Sequence, residues 1–219
     1  MSTWTVESRA ARVDALLSRA PVLPVLAIER LEDALPLART LVDAGLPVLE
    51  VTLRTPAALE AVERIVAEVP GAVVGVGTVL DAEGLAAAER ARAAFAISPG
   101  ATGALYAAAE RAGIPWIPAA ATASEVMRGL EHGHRRFKFF PAASSGGTAA
   151  LRAFAGPLPQ VKFCPTGGID GRSAPDYLAL PNVATVGGSW MVPSEALRAR
   201  DWETIAALAR ACAMEAPKA

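Results

Sequence analysis

The sequence predicts an α/β protein folded as a single (β/α)8 TIM barrel behind an N-terminal helix. Three observations point there. Short apolar runs alternate with helical stretches rich in Ala, Leu, Glu and Arg. Eight such units fit into about 200 residues, the usual size of a barrel of this kind. No Pro/Ser-rich linker or shift in composition divides the chain, so residues 1–219 are expected to form one domain.

The elements follow in order. Residues 1–20 form a leading helix packed on the barrel, since Val6, Ala10, Val13 and Leu17 recur every three to four residues until Pro21 stops the pattern. Eight strands are expected at Val22–Ile28, Val48–Arg54, Val73–Thr78, Phe95–Ser98, Trp116–Ala119, Phe137–Phe140, Lys162–Thr166 and Val183–Gly187. The helices between and after them are Glu32–Ala44, Pro56–Val69, Ala82–Ala93, Gly103–Ala112, Ala123–His132, Gly147–Ala155, Ala174–Leu180 and Ser194–Met214. Arg200-Asp201 could restart the last of these as a second piece. Short β-then-α connections imply a parallel sheet; an open doubly wound sheet is the alternative, which strand count does not exclude.

Composition narrows the function. The chain is 53% hydrophobic, enough for a large core, and its 21 Lys+Arg nearly cancel its 22 Asp+Glu. No basic run suggests a nucleic-acid partner. Glu7, Arg9, Arg12 and Asp14 interrupt any signal-peptide core. The longest uncharged stretch, Ala93 to Ala109, is broken by Pro99, Gly100 and Gly103 and makes a poor membrane span. A cytoplasmic protein with no membrane partner is expected. Cys164 and Cys212 outline neither a disulfide framework nor a zinc cluster.

Side chains alternate faces along a strand, and that parity gathers polar groups. In Val48–Arg54 one face reads Val, Glu50, Thr, Arg54 and the other Leu, Val, Leu. In Phe137–Phe140, Lys138 and Phe140 share a face, and Phe137 and Phe139 share the other. Thr78 falls with Val74 and Val76; Thr166 falls with Cys164 and Lys162. A Lys, a Glu, an Arg and two Thr hydroxyls from four strands then converge at or near the C-terminal strand ends, where barrel enzymes keep their chemistry.

Lys138 is flanked by three phenylalanines, and desolvation disfavours an ammonium. A neutral amine can attack a ketone, and the resulting iminium is an electron sink. The plainer reading is an edge lysine or a simple Lys138–Glu50 pair. Glu50 can be a structural ion-pair partner or a proton shuttle. Arg54 could clamp a carboxylate bidentately or lie solvated at a loop start. Thr78 closes a Gly-Val-Gly-Thr run and could donate to a carboxylate, or simply to its own backbone.

Two later strands end in glycine pairs, Gly167-Gly168 and Gly187-Gly188-Ser189. Barrel enzymes often hold a phosphate between the loops after these strands, where backbone N–H groups can converge on an anion. Ser144-Ser145-Gly146-Gly147-Thr148 is a third candidate.

These segments resemble the 2-keto-3-deoxy-6-phosphogluconate aldolases, also active as 4-hydroxy-2-oxoglutarate aldolases. The matching stretches are Leu49–Thr55, Gly75–Leu80, Phe95–Gly100, Phe137–Ala142, Phe163–Ile169 and Gly187–Trp190, collinear over nearly the whole chain. The resemblance implies a (β/α)8 barrel, a metal-free class I mechanism without cofactor, a homotrimer and the Entner–Doudoroff cleavage. It implies Lys138 as the Schiff-base residue and Glu50 as general acid/base. It assigns Arg54 and Thr78 to the pyruvyl carboxylate and Phe140 and Pro99 to the pyruvyl pocket. Thr166 supplies a polar contact, and Gly167, Gly168, Gly188 and Ser189 belong to the phosphate region. One stretch departs: where the family commonly shows a glycine, a hydroxyl residue and Thr, this chain has Pro118-Ala119-Ala120-Ala121-Thr122. A phosphosugar isomerase or epimerase on the same barrel would explain the glycines but leave Lys138 without a purpose. A non-catalytic phosphosugar-binding protein would bind phosphorylated acids without turnover.

Overall fold

Helix α1 (Val6–Leu17) begins in a capping box, in which Thr5 Oγ1 accepts from the Ser8 N–H and Ser8 reciprocates. A computed structural model describes residues 4–214. Residues 1–3 of the expected leading segment and 215–219 of the expected domain lie outside the described residues. Val13, Leu16 and Leu17 on the buried face of α1 pack on Leu23, Val48, Phe95, Ile97, Ile117 and Cys164. Arg136 grips Asp14 through both carboxylate oxygens, and Arg9 Nη1 donates to the His132 carbonyl at 2.9 Å. The apolar spacing seen in the sequence therefore serves to cap the interior of the sheet at its N-terminal end.

The strands are β1 (Val22–Leu26), β2 (Val48–Thr52), β3 (Val73–Gly77), β4 (Phe95–Ile97), β5 (Trp116–Ile117), β6 (Ala119–Ala120), β7 (Arg136–Phe139), β8 (Lys162–Pro165) and β9 (Val186–Gly188). All pairings among them are parallel, in the orders β5-β4-β3-β2-β1-β9 and β6-β7-β8. A single parallel bridge, Thr166–Gly187, joins the two groups at β9, and a second, Phe163–Val183, ties β8 to the segment leading into β9. Helices α2 (Ala34–Asp43), α3 (Ala58–Glu68), α4 (Ala82–Arg90), α5 (Gly103–Ala109), α6 (Ala123–Glu131), α7 (Gly147–Ala155), α8 (Ala174–Leu178), α9 (Ser194–Ala199) and α10 (Trp202–Ala213) fill the connections. Asp81, Thr102 and Thr122 cap α4, α5 and α6 with side-chain acceptors.

Three departures from the sequence reading, and the split that it allows at Arg200-Asp201, have local causes. The helix expected from Glu32 opens as a 3-10 turn, Leu31–Asp33. The last helix splits, because Arg200 turns left-handed (φ 55°) and Asp201 caps the second piece. The fifth strand is cut at Pro118, which has no N–H to donate; Ile117 O still accepts from Ser98 N and Pro118 O from Lys138 N. The final strand starts three residues late, at Val186, whose N–H donates to the Pro21 carbonyl, while the Ala184 N–H just before it donates to Phe163 of β8.

The sheet curls strongly. Laid flat, β2 and β7 would lie four strand spacings apart, about 19 Å. Lys138 Nζ on β7 nevertheless meets Glu50 Oε1 on β2 at 3.0 Å, which the open doubly wound alternative does not allow. Leu49 and Val51 of β2, with Val74 and Val76 of β3, pack outward against α2, α3 and α4. Phe137, Phe139 and Phe163 form a second outward cluster with Leu151 and Phe154 of α7. No helix among the described residues is long and apolar enough to cross a membrane.

A buried histidine gives this fold an acid liability. His134 is 3% exposed and lies near the rings of Tyr106 and Trp116, with centroids 5.5 and 5.3 Å away. Burial, then the neighbouring Arg9 and His132, push its pKa down from 6.5 to about 3. Above pH 6.5 the group is neutral folded or unfolded. Between pH 6.5 and about 3 only the unfolded chain takes the proton, so stability falls as pH falls, by about 1.4 kcal/mol per pH unit from this group. Urea unfolding of the protein and His134→Gln at pH 7 and pH 5 checks this: the substitution should flatten the loss, and an unchanged loss would remove His134 as its source.

Candidate active site

The curl brings together one lysine and one carboxylate. Lys138, 5% exposed, stands at the middle of β7 between Ala119 of β6 and Cys164 of β8 in register. Glu50, fully buried, lies opposite in β2. Its Oε1 accepts from Lys138 Nζ, and its Oε2 has no protein partner. A buried acceptor without a donor is costly, so Oε2 is the atom that a water or a substrate hydroxyl would satisfy.

The surroundings correct one sequence expectation. Three phenylalanines do not enclose the amine: Phe137 and Phe139 face the helices, and only the Phe140 ring lies under Nζ, 5.2 Å from its centroid. The enclosure comes instead from closure of the sheet interior. Below the pair lies Cys164, whose thiol pKa burial pushes up to about 12. It is therefore an inert neutral neighbour, not a nucleophile. Thr166, 5% exposed, has its hydroxyl 3.9 Å from the Cys164 sulfur and 3.4 Å from the Cys164 carbonyl.

A second correction concerns β3. Val74 and Val76 face the helices, and it is Gly75 and Gly77 that face inward. Thr78 leaves the alternation through a left-handed turn (φ 60°), a conformation a β-branched residue adopts only at a cost of about 1–3 kcal/mol. It and Pro99 sit just beyond the ends of β3 and β4; no hydrogen bond ties either to Lys138 among the described residues.

Arg54 lies two residues past β2 and is exposed. Its Nε donates to Thr52 Oγ1 at 3.0 Å, while Thr52 Oγ1 donates to the Leu26 carbonyl at 2.8 Å. The anchor aims the guanidinium and leaves its two terminal nitrogens for a bidentate anion. Arg54 and Ser189 line one cleft with Leu26, Leu37 and Val192. Gly167 and Gly168 are both left-handed, at φ 101° and 73°, and Gly167 packs beside Phe140 and Pro141. Ala142 N–H donates to the Thr166 carbonyl and Ala143 N–H to that of Gly167, so the loop after β7 is laced to the end of β8. Gly188 yields its side-chain space to the Trp190 ring. Among the described residues no group of three His, Cys, Asp or Glu could hold a metal ion.

A family model described as "Aldolase: KDPG and KHG aldolase" matches residues 13–208. The chain belongs to the KDPG and KHG aldolase family. It is 51% identical to the KHG/KDPG aldolase of Escherichia coli K12 over 96% of each chain. It is 47% identical to the 2-dehydro-3-deoxy-phosphogluconate aldolase of Pseudomonas aeruginosa over 94% of this chain and 93% of that one. Among solved structures, the KDPG aldolase of Legionella pneumophila, with pyruvate captured as a covalent carbinolamine intermediate, superposes with a TM-score of 0.90 at 49% identity. It covers 91% of this chain and 97% of its own. That of Zymomonas mobilis with 3-phosphoglycerate gives 0.88 at 50% identity, covering 92% and 94%.

Two parts of this aldolase-family site escaped the sequence reading. Thr52, which anchors Arg54, shares the inward parity of Glu50 and was legible on that ground. The missing side chain of Gly77 makes room for Glu50, whose Oε1 and Cγ a methyl group there would overlap. Gly187 does the same for Thr166 Oγ1. Gly77→Ala should therefore cost about 1–3 kcal/mol of stability by overpacking and force the carboxylate off Lys138. Urea titration beside Gly100→Ala, where a methyl group meets open space, measures it; equal midpoints would refute the crowding.

Proposed function

We propose that this chain is a class I aldolase that cleaves 2-keto-3-deoxy-6-phosphogluconate to pyruvate and glyceraldehyde 3-phosphate. A second substrate is 4-hydroxy-2-oxoglutarate, cleaved to pyruvate and glyoxylate. The observation that carries this reading is the buried Lys138–Glu50 contact with Glu50 Oε2 unpartnered. The amine passes a proton to the carboxylate and attacks C2 of the keto acid. Glu50 returns protons as the carbinolamine forms and loses water. The iminium then draws the electrons of the C3–C4 bond while Glu50 takes the C4 hydroxyl proton, and the aldehyde leaves. Protonation of the enamine at C3 and hydrolysis release pyruvate and restore Lys138.

Arg54 and Thr78 hold the substrate carboxylate, Phe140 and Pro99 wall the pyruvyl carbon skeleton, and Thr166 makes a polar contact. Gly167, Gly168, Gly188 and Ser189 take the phosphate. Support for this comes from the left-handed Gly167-Gly168 backbone and from the family member solved with 3-phosphoglycerate. The curled sheet is read as a closed (β/α)8 barrel forming one domain, since Thr166–Gly187 and Phe163–Val183 bridge one seam and the Ile117 and Pro118 carbonyls are bonded on opposite sides of the other. A homotrimer is the assembly that the family resemblance implies, and sedimentation tests it; a cytoplasmic location is proposed with it. Incubation with pyruvate and borohydride, followed by peptide mass spectrometry, tests the chemistry. A pyruvyl adduct on Lys138 is expected, and its absence would favour the isomerase or binding-protein alternatives.

A further inference from the structure

The end of the sheet opposite the Lys138–Glu50 pair carries a cleft of its own, at the Val73 end of β3. It encloses ≈ 470 Å³ between α1, the turn before β3 and the turn before β4, within the usual range of small-molecule sites. Arg12 and Arg19 line it from α1 and the residues just after it, and Arg92 lines it from the turn after α4. No acidic residue lines it, although the chain as a whole has net charge −1. The three arginines are exposed, and none of their guanidinium groups has an ion-pair or hydrogen-bond partner among the described residues. The rest of the lining is apolar and includes Leu16, Val66 and Val73.

Arg92 sharpens the point. It sits at the left-handed position that ends α4, with φ 58°. Glycine takes that position without cost, and a residue with a Cβ does not. A cation following a helix C-terminus complements the dipole, but dipole compensation does not require the strained residue itself to carry the charge. The exposed Arg92 side chain thus lines the cleft from a backbone position that carries a cost.

We propose that this cleft binds an organic polyphosphate of the nucleoside di- or triphosphate class. Guanidinium groups recognise phosphate oxygens bidentately, and three of them match a ligand of three to four negative charges. The apolar floor suits a flat base or ribose better than a bare anion.

The test is thermal unfolding of the whole chain with ATP, ADP or pyrophosphate, without magnesium. It compares the natural protein with Arg92→Gly, Arg12→Ala/Arg19→Ala and Ser189→Ala. ATP should raise Tm dose-dependently and more than pyrophosphate. Arg92→Gly should melt no lower than the natural protein when unliganded, because glycine relieves the left-handed turn. It should nonetheless need at least about tenfold more ATP for the same shift, the loss expected for one charge-assisted contact. Ser189→Ala should respond like the natural protein. The proposal is overturned by no shift at millimolar ligand or by an undiminished shift in Arg92→Gly. Equal shifts with pyrophosphate and ATP would also overturn it, as would a shift lost in Ser189→Ala alone, which would place the ligand at the other end of the strands.

Discussion

Replacing Lys138 by methionine is expected to abolish cleavage, with kcat lowered at least about a thousandfold and no borohydride-trapped adduct. The size follows from the proposed route. Without the amine there is no iminium, and the C3–C4 electrons have nowhere to go. Methionine matches the length and flexibility of the aliphatic stem but leaves the Glu50 carboxylate buried without its cation. Breaking such a pair costs about 3–5 kcal/mol. Circular dichroism therefore has to accompany the assay. The adduct site on the natural protein supplies a readout that does not depend on how well the variant folds. A Lys138→Met protein that folds and still releases pyruvate, followed with lactate dehydrogenase, would refute the Schiff-base route.

Glu50→Gln should be the next most damaging change, with kcat falling about 10²- to 10⁴-fold, the usual worth of a positioned general acid/base. Glutamine keeps the shape and can still accept from Nζ, but it cannot carry protons through dehydration and C–C cleavage. The signature differs from that of Lys138→Met: borohydride should still trap pyruvate on Lys138, only more slowly. A variant with unchanged turnover would reduce Glu50 to an ion-pair partner, the plainer role that its 3.0 Å contact also permits.

Most of this molecule was legible as pattern. Phe137 and Phe139 against Lys138, and Leu49 and Val51 against Glu50, alternate because a strand shows its faces in turn. A strand with one face toward helices and one toward an enclosed interior must segregate polar from apolar residues. The β3 assignment failed for the converse reason. Glycine belongs to neither class, and the left-handed Thr78 ends the alternation, so the parity of Val74 and Val76 does not extend to it. The cut at Pro118 and the late start of β9 depend on individual hydrogen bonds, which hydrophobic period does not encode.

By itself the sequence determined the parallel α/β pattern, the inward direction of Lys138 and Glu50, and the family through its collinear motifs. Only the tertiary structure decided that these two side chains, 88 residues apart, touch. Their strands are not hydrogen-bonded neighbours, and the distance between them is set by the curl of the whole sheet. Only the structure showed that Gly77 is the space Glu50 occupies, that Thr52 aims Arg54, and that Arg92 lines one cleft with Arg12 and Arg19. Local sequence specifies which way a side chain leaves its strand; what it meets is settled by how strands far apart in the chain are brought face to face.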